Sequence, residues 1–424
     1  DGAKDPRAEL AATLAAFFAP PVPPPTAEEE IAPPERRHPQ CNFPARFAWL
    51  DERLGFDPAR MPRQPCPSFE LWRSRIGGQG ATLVFADAYL SNPASMYGHT
   101  FLRLDKGSPL LSYAVNYSAD AWTTNGILFA VLGMFGGFDG YFSTTPYYVK
   151  VQEYSNVESR DLWEYPLALS PAELDRLLAH AWELGSTSFD YYFFDENCSY
   201  QLLTLLDAMR PELRLAEGFP LAVIPTDTLR AVLARPGLVA ERRWRPAHRS
   251  QLIAHRDALS PADRDRAEAV AEGELAPVAG LPPVRQARIL DTGHLLMRWK
   301  AGYQRKGSVL NKAHEQAVLR ARAALGVRLP PLDATPRLAP PELGHPTARF
   351  TLGGGASERG AHTRLALRFA LHDLLDDETA YHPGSHLEKL DIRLRWDLSS
   401  GRTGQAPYLE QLDLVEILSV TPYE

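Results

Sequence analysis

Two stretches near the C-terminus fix the fold class more tightly than anything else in the chain. In "HTRLALRFALHDL" Leu365, Leu367, Phe369 and Leu371 alternate with Arg364, Arg368 and His372. In "LEKLDIRLRWDL" Leu390, Ile392, Leu394 and Trp396 alternate with Asp391, Arg393, Arg395 and Asp397. A period of two places one set on a dry face and the other on a wet one, the mark of antiparallel strands. "ARFTLGGG" and "PYLEQLDLVEILSV" flank them. Four such strands form a sheet that does not close into a barrel by itself.

Upstream the period changes. "SPAELDRLLAHAWELG" (170–185) carries Ser170, Pro171 and Glu173 as a capping box, with Leu174, Leu177, Leu178 and Ala181 on one face. "RAELAATLAAFF" (7–18), residues 42–76 and most of 226–325 also read as helical. "APPVPPPTAEEEIAPPE" between the first two is too rich in proline for a helix and reads as an exposed loop. Short β-branched and aromatic runs at 81–90, 99–105 and 110–118 predict strands. Helices and antiparallel strands thus occupy separate stretches, an α+β chain. The expected organisation is an N-terminal helical and Pro-rich region (1–78), a catalytic domain (79–235), a helical region (236–340) and an antiparallel β region (341–424).

The net charge of −7 gives no reason to expect a nucleic acid partner. No apolar run reaches the roughly 20 residues of a membrane-spanning helix. The chain starts at Asp1 without a charged and apolar leader, so an export signal is expected to have been removed. Three cysteines are present. Cys41 and Cys66 lie close together in polar, Pro-flanked surroundings and are expected to form a disulfide, which implies an oxidising compartment. That leaves Cys198 unpaired.

Cys198 stands in "FFDENCSYQLLTLL" at the start of a helix. Unpaired N–H groups and the positive end of the helix dipole there are expected to lower a thiol pKa towards neutral, and to offer half of an oxyanion hole. The competing reading is a small apolar residue in a first helical turn. There is no G-x-S-x-G elbow, phosphate-binding glycine loop, C-x-x-C or H-E-x-x-H, so a thiol nucleophile is the best remaining chemistry. It needs a base. Of 12 histidines, His180 and His294 sit inside helices among apolar residues. His372, His382 and His386 gather with Asp373, Asp376 and Asp377 but match no metal-ligand template. His99 opens a strand directly after Gly98, and Asn116 on the following strand is placed to orient its ring.

The motifs "YGHTFLRL", "SYAVNYSA", "GMFGGFDGYF", "NVESRDLWEYPL" and "FDENCSYQLL", in this order, resemble the periplasmic domain of the Lnb lipoprotein N-acyltransferase family over about residues 80–235. The order of His99 before Asn197–Cys198 is also similar to the permuted papain-like fold of the lecithin:retinol acyltransferases. The resemblance implies a permuted papain-like cysteine-enzyme core in a periplasmic protein. Cys198 would take a fatty acyl group from a phospholipid as a thioester and pass it to the N-terminal amine of a lipoprotein. His99 would be base and then acid, with Asn116 orienting it. Ser95, Tyr97, Asn197, Phe135 and Phe138 are the candidate substrate-binding residues. No cofactor is implied. Water as acceptor would give a phospholipid hydrolase, an amide donor a papain-like peptidase or amidase of cell-wall peptides, and loss of chemistry an envelope scaffold. "GILFAVLGMFGGF" (126–138) has no charge, is too short to span a bilayer, and its glycines argue against a stable helix. It reads as an apolar loop that dips into a membrane surface or lines an acyl groove, or else as buried core. The long helical region and C-terminal sheet depart from a minimal enzyme of this kind. The sheet would be the start of an outer-membrane-associated β region.

Overall fold

The computed structural model describes residues 4–26, 29–89, 95–123, 125–219, 222–303, 311–330, 332, 334–357, 360–398 and 406–420. Its centre is a seven-stranded antiparallel sheet: β1 (Gly80–Ala86), β2 (His99–Asp105), β3 (Tyr113–Ala119), β4 (Phe138–Pro146), β5 (Leu162–Leu167), β6 (Ser188–Tyr191) and β7 (Arg243–Arg245). The spatial order is β6-β4-β3-β2-β1-β5-β7. The two middle strands are buried on both faces, which is why they read as nearly unbroken apolar runs. One face packs Leu83, Leu102, Leu104 and Val115 against the helices Pro171–Leu184 and Cys198–Met209. The other packs Val84, Phe101 and Ala114 against Tyr147 and Tyr154.

The second face also buries charge. Arg103, 2% exposed, pairs with Glu164 at 2.6 Å and Asp105 at 2.6 Å. Arg245 and the Tyr147 hydroxyl donate to the same Glu164 carboxylate at 2.9 and 2.7 Å. With both lone-pair sets engaged, the ion pair avoids the penalty of an uncompensated buried charge.

The Ser170 capping box forms as its sequence predicts. Residues 42–76 do not form one helical run: helices at Pro44–Leu54 and Pro67–Ile76 are separated by a loop that begins at Gly55, whose positive φ of 62° ends the first. The loop is held by the disulfide Cys41–Cys66, with Cα atoms 5.2 Å apart. These helices dock on the central domain through the Trp182 indole, which donates to the Cys41 carbonyl at 2.8 Å. The third predicted strand begins later than its sequence suggests, at Tyr113, because Pro109–Leu111 form a 3-10 turn.

Residues 226–325 fold mainly as helices around a small core of Leu259, Val270, Ile289 and Val318. The C-terminal sheet comprises β8 (Arg349–Ser357), β9 (Gly360–His372), β10 (Ser385–Asp397) and β11 (Tyr408–Ser419), in the order β11-β10-β9-β8. It meets the central domain where Ala370, Leu371, Tyr381 and Leu387 pack on Met96, Tyr97 and Ile224. No helix among the described residues is long and apolar enough to cross a membrane.

Candidate active site

The site forms where the central sheet opens. β2 and β3 are paired only from Leu102↔Val115 to Leu104↔Tyr113. Beyond Leu102, towards His99, β3 continues but pairs only with β4. Asn116 is the first residue past the last pair. Its Oδ1 lies 2.6 Å from Nε2 of His99, both side chains on the Phe101 face of the sheet. Gly98 delivers His99: its φ of 89° suits glycine alone, and a Cβ there would meet the Phe85 ring at 2.5 Å.

Cys198 belongs to the opposite face, packed with Leu202 and Leu102. It opens the Cys198–Met209 helix. The Thr100 backbone amide, in the stretch where β3 no longer pairs with β2, and the Tyr191 hydroxyl both favour its thiolate form. Thr100 follows His99 in β2, and the Cys198 charge also bears on Tyr154, whose ring centroid lies 5.7 Å from that of His99. Cys198, His99 and Asn116 are 5%, 8% and 3% exposed.

Two expectations are corrected here. The thiol pKa is not lowered by its helix position: burial pushes it up, although Thr100, Tyr191, Ser199 and the charge of Arg160 all pull the other way. The free N–H groups of the first turn are not open for an oxyanion either. Asn197 caps the helix, its Oδ1 accepting from the Ser199 and Tyr200 amides at 3.0 and 3.3 Å. The Cys198 N–H donates to the Tyr191 hydroxyl oxygen at 3.3 Å.

Burial also pulls the His99 pKa down to about 3, against the opposing Asn116 hydrogen bond, with Arg160 and Lys150 adding to the fall. Both partners are therefore neutral at rest. Asn116 Oδ1 accepts, so Nε2 carries the proton and Nδ1 has the free lone pair.

The other sequence candidates fall around this centre. The Asn197 amide is committed to its cap and to donating to the Phe193 and Val223 carbonyls at 3.2 and 2.8 Å. Ser95 shapes the turn before His99, its carbonyl accepting from the Tyr89 and Gly98 amides. The Tyr97 hydroxyl is buried without a partner among the described residues. Phe138 is buried against Phe129 and Phe193. Phe135 is 76% exposed.

Residues 126–138 do contain a helix, Gly126–Met134, where the glycines predict none. Gly133 is there because the Phe193 ring lies where a Cβ would be, and the Phe193 amide donates to the Gly133 carbonyl at 2.8 Å. The helix thus packs on the loop that leads to Cys198 and turns Leu128, Val131 and Phe135 outward. Sequence reasoning missed Tyr191, Tyr154 and Arg160. Arg160 is 2% exposed and donates to the Asp87 and Ala86 carbonyls at 2.5 and 3.0 Å. Its signal was its place in the "NVESRDLWEYPL" motif.

Elsewhere, His345, His372 and Asp376 approach one another closely enough to share a cation, as do His386, Glu388 and Glu416. Arg349 and Arg368 already occupy the Asp376 carboxylate at 2.8 and 2.7 Å, so a cation at the first group would face two guanidinium charges.

Comparison with curated proteins and with solved structures found no match. Comparison with family models found four. Domains of unknown function match residues 1–53 (DUF7843), 242–332 (DUF7842) and 338–424 (DUF7840). Residues 68–235 match the Lnb N-terminal periplasmic domain, and they hold His99, Asn116 and Cys198 together with nearly all of the central sheet. The segment that carries Cys198, His99 and Asn116 is thus similar to the Lnb N-terminal periplasmic domain, a relationship that fits a periplasmic envelope protein.

Proposed function

We propose that this chain is a cysteine acyltransferase with a permuted papain-like core. In this reading Cys198 takes a fatty acyl group from a phospholipid and delivers it to the N-terminal amine of a lipoprotein at a membrane surface. The observation that carries the reading is the His99–Asn116 hydrogen bond of 2.6 Å, together with a helix-start thiol whose thiolate form is favoured by the amide of Thr100, the residue after His99. The proton bookkeeping follows from the tautomer. The Cys198 S–H proton moves to Nδ1 of His99 as sulfur attacks the ester carbonyl. The imidazolium so formed keeps its Nε2–H on Asn116 and returns the other proton to the departing glycerol oxygen, leaving a thioester. The acceptor amine then attacks the thioester carbonyl, loses a proton to His99, and the thiol is restored when His99 gives that proton back to sulfur. Thr100, Tyr191 and Arg160 favour the transient thiolate.

The exposed apolar side of Gly126–Met134, continued by Phe135 and Trp122, favours a lipid donor over a cell-wall peptide. An outer-membrane role for the C-terminal sheet belongs to the same reading, supported by the exposed Leu412, Leu414 and Ile417 of β11. The test is mass spectrometry of the intact chain after incubation with phospholipid micelles. The expected result is an acyl adduct on Cys198 that transfers to a diacylated lipopeptide and never forms on Cys198→Ser. An adduct that survives Cys198→Ser would place the nucleophile elsewhere.

A further inference from the structure

The strands β10 and β11 bring one histidine and two glutamates together in the C-terminal sheet. His386 and Glu388 stand two residues apart on β10, so their side chains leave the same face. Glu416 is the residue of β11 directly across from Glu388. The strand ladder sets all three, without help from a loop. Nε2 of His386 lies 3.8 Å from Oε2 of Glu388 and 3.7 Å from Oε2 of Glu416. The three atoms all lie within 4.8 Å of one another.

Such separations are too long for hydrogen bonds. Nε2 of His386 is buried and has no hydrogen-bond partner among the described residues. A buried ring nitrogen left in that state is costly unless something supplies a partner. Two ligands bonded to one ion at about 2.1 Å each stand about 3.4 Å apart in a tetrahedron, and at most about 4.2 Å apart in any geometry. The two measured separations fall between those values. Glu388, 4% exposed, is oriented from behind: its Oε1 takes Arg368 at 3.2 Å, which leaves Oε2 for the cluster.

Charge points the same way. Arg349 and Arg368 are shared among Asp373, Asp376 and Glu388. Counting Glu416, four carboxylates face two guanidinium groups, so two negative charges remain for a divalent cation to cancel. The group at His345 differs, because both oxygens of its Asp376 are taken by guanidinium groups. Glu416, 58% exposed, gives an ion a way in from solvent.

We propose that His386, Glu388 and Glu416 bind a divalent first-row metal ion such as Zn²⁺, which fastens the edge strand β11 to β10. One imidazole nitrogen with carboxylate oxygens suits such an ion better than Ca²⁺ or Mg²⁺, which favour all-oxygen sets. Three protein ligands leave a further position for water. β11 pairs with β10 alone and is exposed along most of its length, so a tie at this point holds a strand that the core does not.

The test titrates the full chain, stripped of metal by a chelator and dialysed, with zinc chloride in a calorimeter near pH 7.5, where an ordinary imidazole is neutral. Magnesium chloride is the comparison ion. The variants are His386→Gln, the exposed Glu416→Gln, which the fold tolerates, and His345→Gln in the other histidine group. Even an outer partner of a metal ligand is worth about 10- to 100-fold in affinity, so His386→Gln and Glu416→Gln are each expected to weaken zinc by about a hundredfold or more, and His345→Gln by less than about threefold. Zinc is also expected to raise the melting temperature of the parent chain and not that of His386→Gln. No zinc binding by the parent, or binding undiminished in His386→Gln and Glu416→Gln, overturns the site. A loss confined to His345→Gln assigns the ion to the other group and overturns it equally. Magnesium binding as tightly as zinc overturns the choice of ion.

Discussion

Replacing His99 with glutamine changes how stability depends on pH, and the sign of the change reports the charge state of His99 beside Cys198 in the proposed site. An unfolded histidine titrates near 6.5, whereas His99 in the fold is held down to about 3 by burial. Between these values the unfolded chain binds a proton that the folded chain refuses, so stability falls as pH falls through about 6.5, by about 1.4 kcal/mol per pH unit. Above about pH 7 both states are neutral and the contribution vanishes. From pH 7 to pH 5 His99 alone therefore removes about 2 kcal/mol. Denaturant melts of both chains at those two pH values isolate the term, since every other titrating group is shared. The expected result is that His99→Gln loses about 2 kcal/mol less than the parent chain over this interval. A resting thiolate–imidazolium pair would instead raise the folded pKa, and the parent would hold its stability better than the variant on acidification. That outcome, or parallel pH dependences, would refute the neutral pair.

Asn116→Ala removes a buried acceptor from Nε2 and is expected to slow adduct formation by about ten- to a hundredfold, while Asn116→Asp should raise the His99 pKa and move the acid limb of the rate profile upward. Reducing the Cys41–Cys66 bond, which closes a separation of 25 residues, should lower stability by about 3.5 kcal/mol in denaturant melts, lost first from the N-terminal helices. Arg103→Met removes one of the two guanidinium partners of Glu164 and the ion-pair partner of Asp105, and should cost about 1.5–3 kcal/mol by the same assay. Gly133→Ala forces the Phe193 ring from its seat, and should lower the adduct rate while leaving the melting midpoint of the distant disulfide-linked helices unchanged.

The legible parts of the chain were those where local chemistry and final burial agree. Ser170 and Glu173 make the predicted capping box because the tertiary ion pair of Glu173 with Arg210 uses the other carboxylate oxygen. The start of the Cys198 helix was readable because Asn197 is itself the cap. β4 was not read as a strand, although Phe138, Gly140 and Phe142 face inward in alternation with Asp139 and Tyr141. The middle inward position is a glycine, because the Tyr117 hydroxyl occupies the place of its side chain, and a glycine hides the period. The helix Gly126–Met134 was masked for a similar reason, its Gly133 yielding room to a ring 60 residues later in the chain. The thiol pKa misled because a helix start is a local property and burial a global one. At Cys198 the second outweighs the first.

Keeping the centre neutral has a chemical consequence. Separating a proton from sulfur in so dry a place is unfavourable until the compensating groups are joined by a reacting carbonyl, so the thiol is a poor nucleophile towards small solutes at rest. In the proposed acyl-transfer reading, the same dryness bears on the fate of the thioester. Water and an amine compete for it, and a site that admits little water tilts that competition towards an amine brought in by its own binding energy. An acceptor that carries acyl chains could approach along the apolar side formed by Leu128, Val131 and Phe135, the side from which a phospholipid donor would also come. In the proposed acyl-transfer reading, the depth of Cys198 slows its attack but favours transfer over hydrolysis.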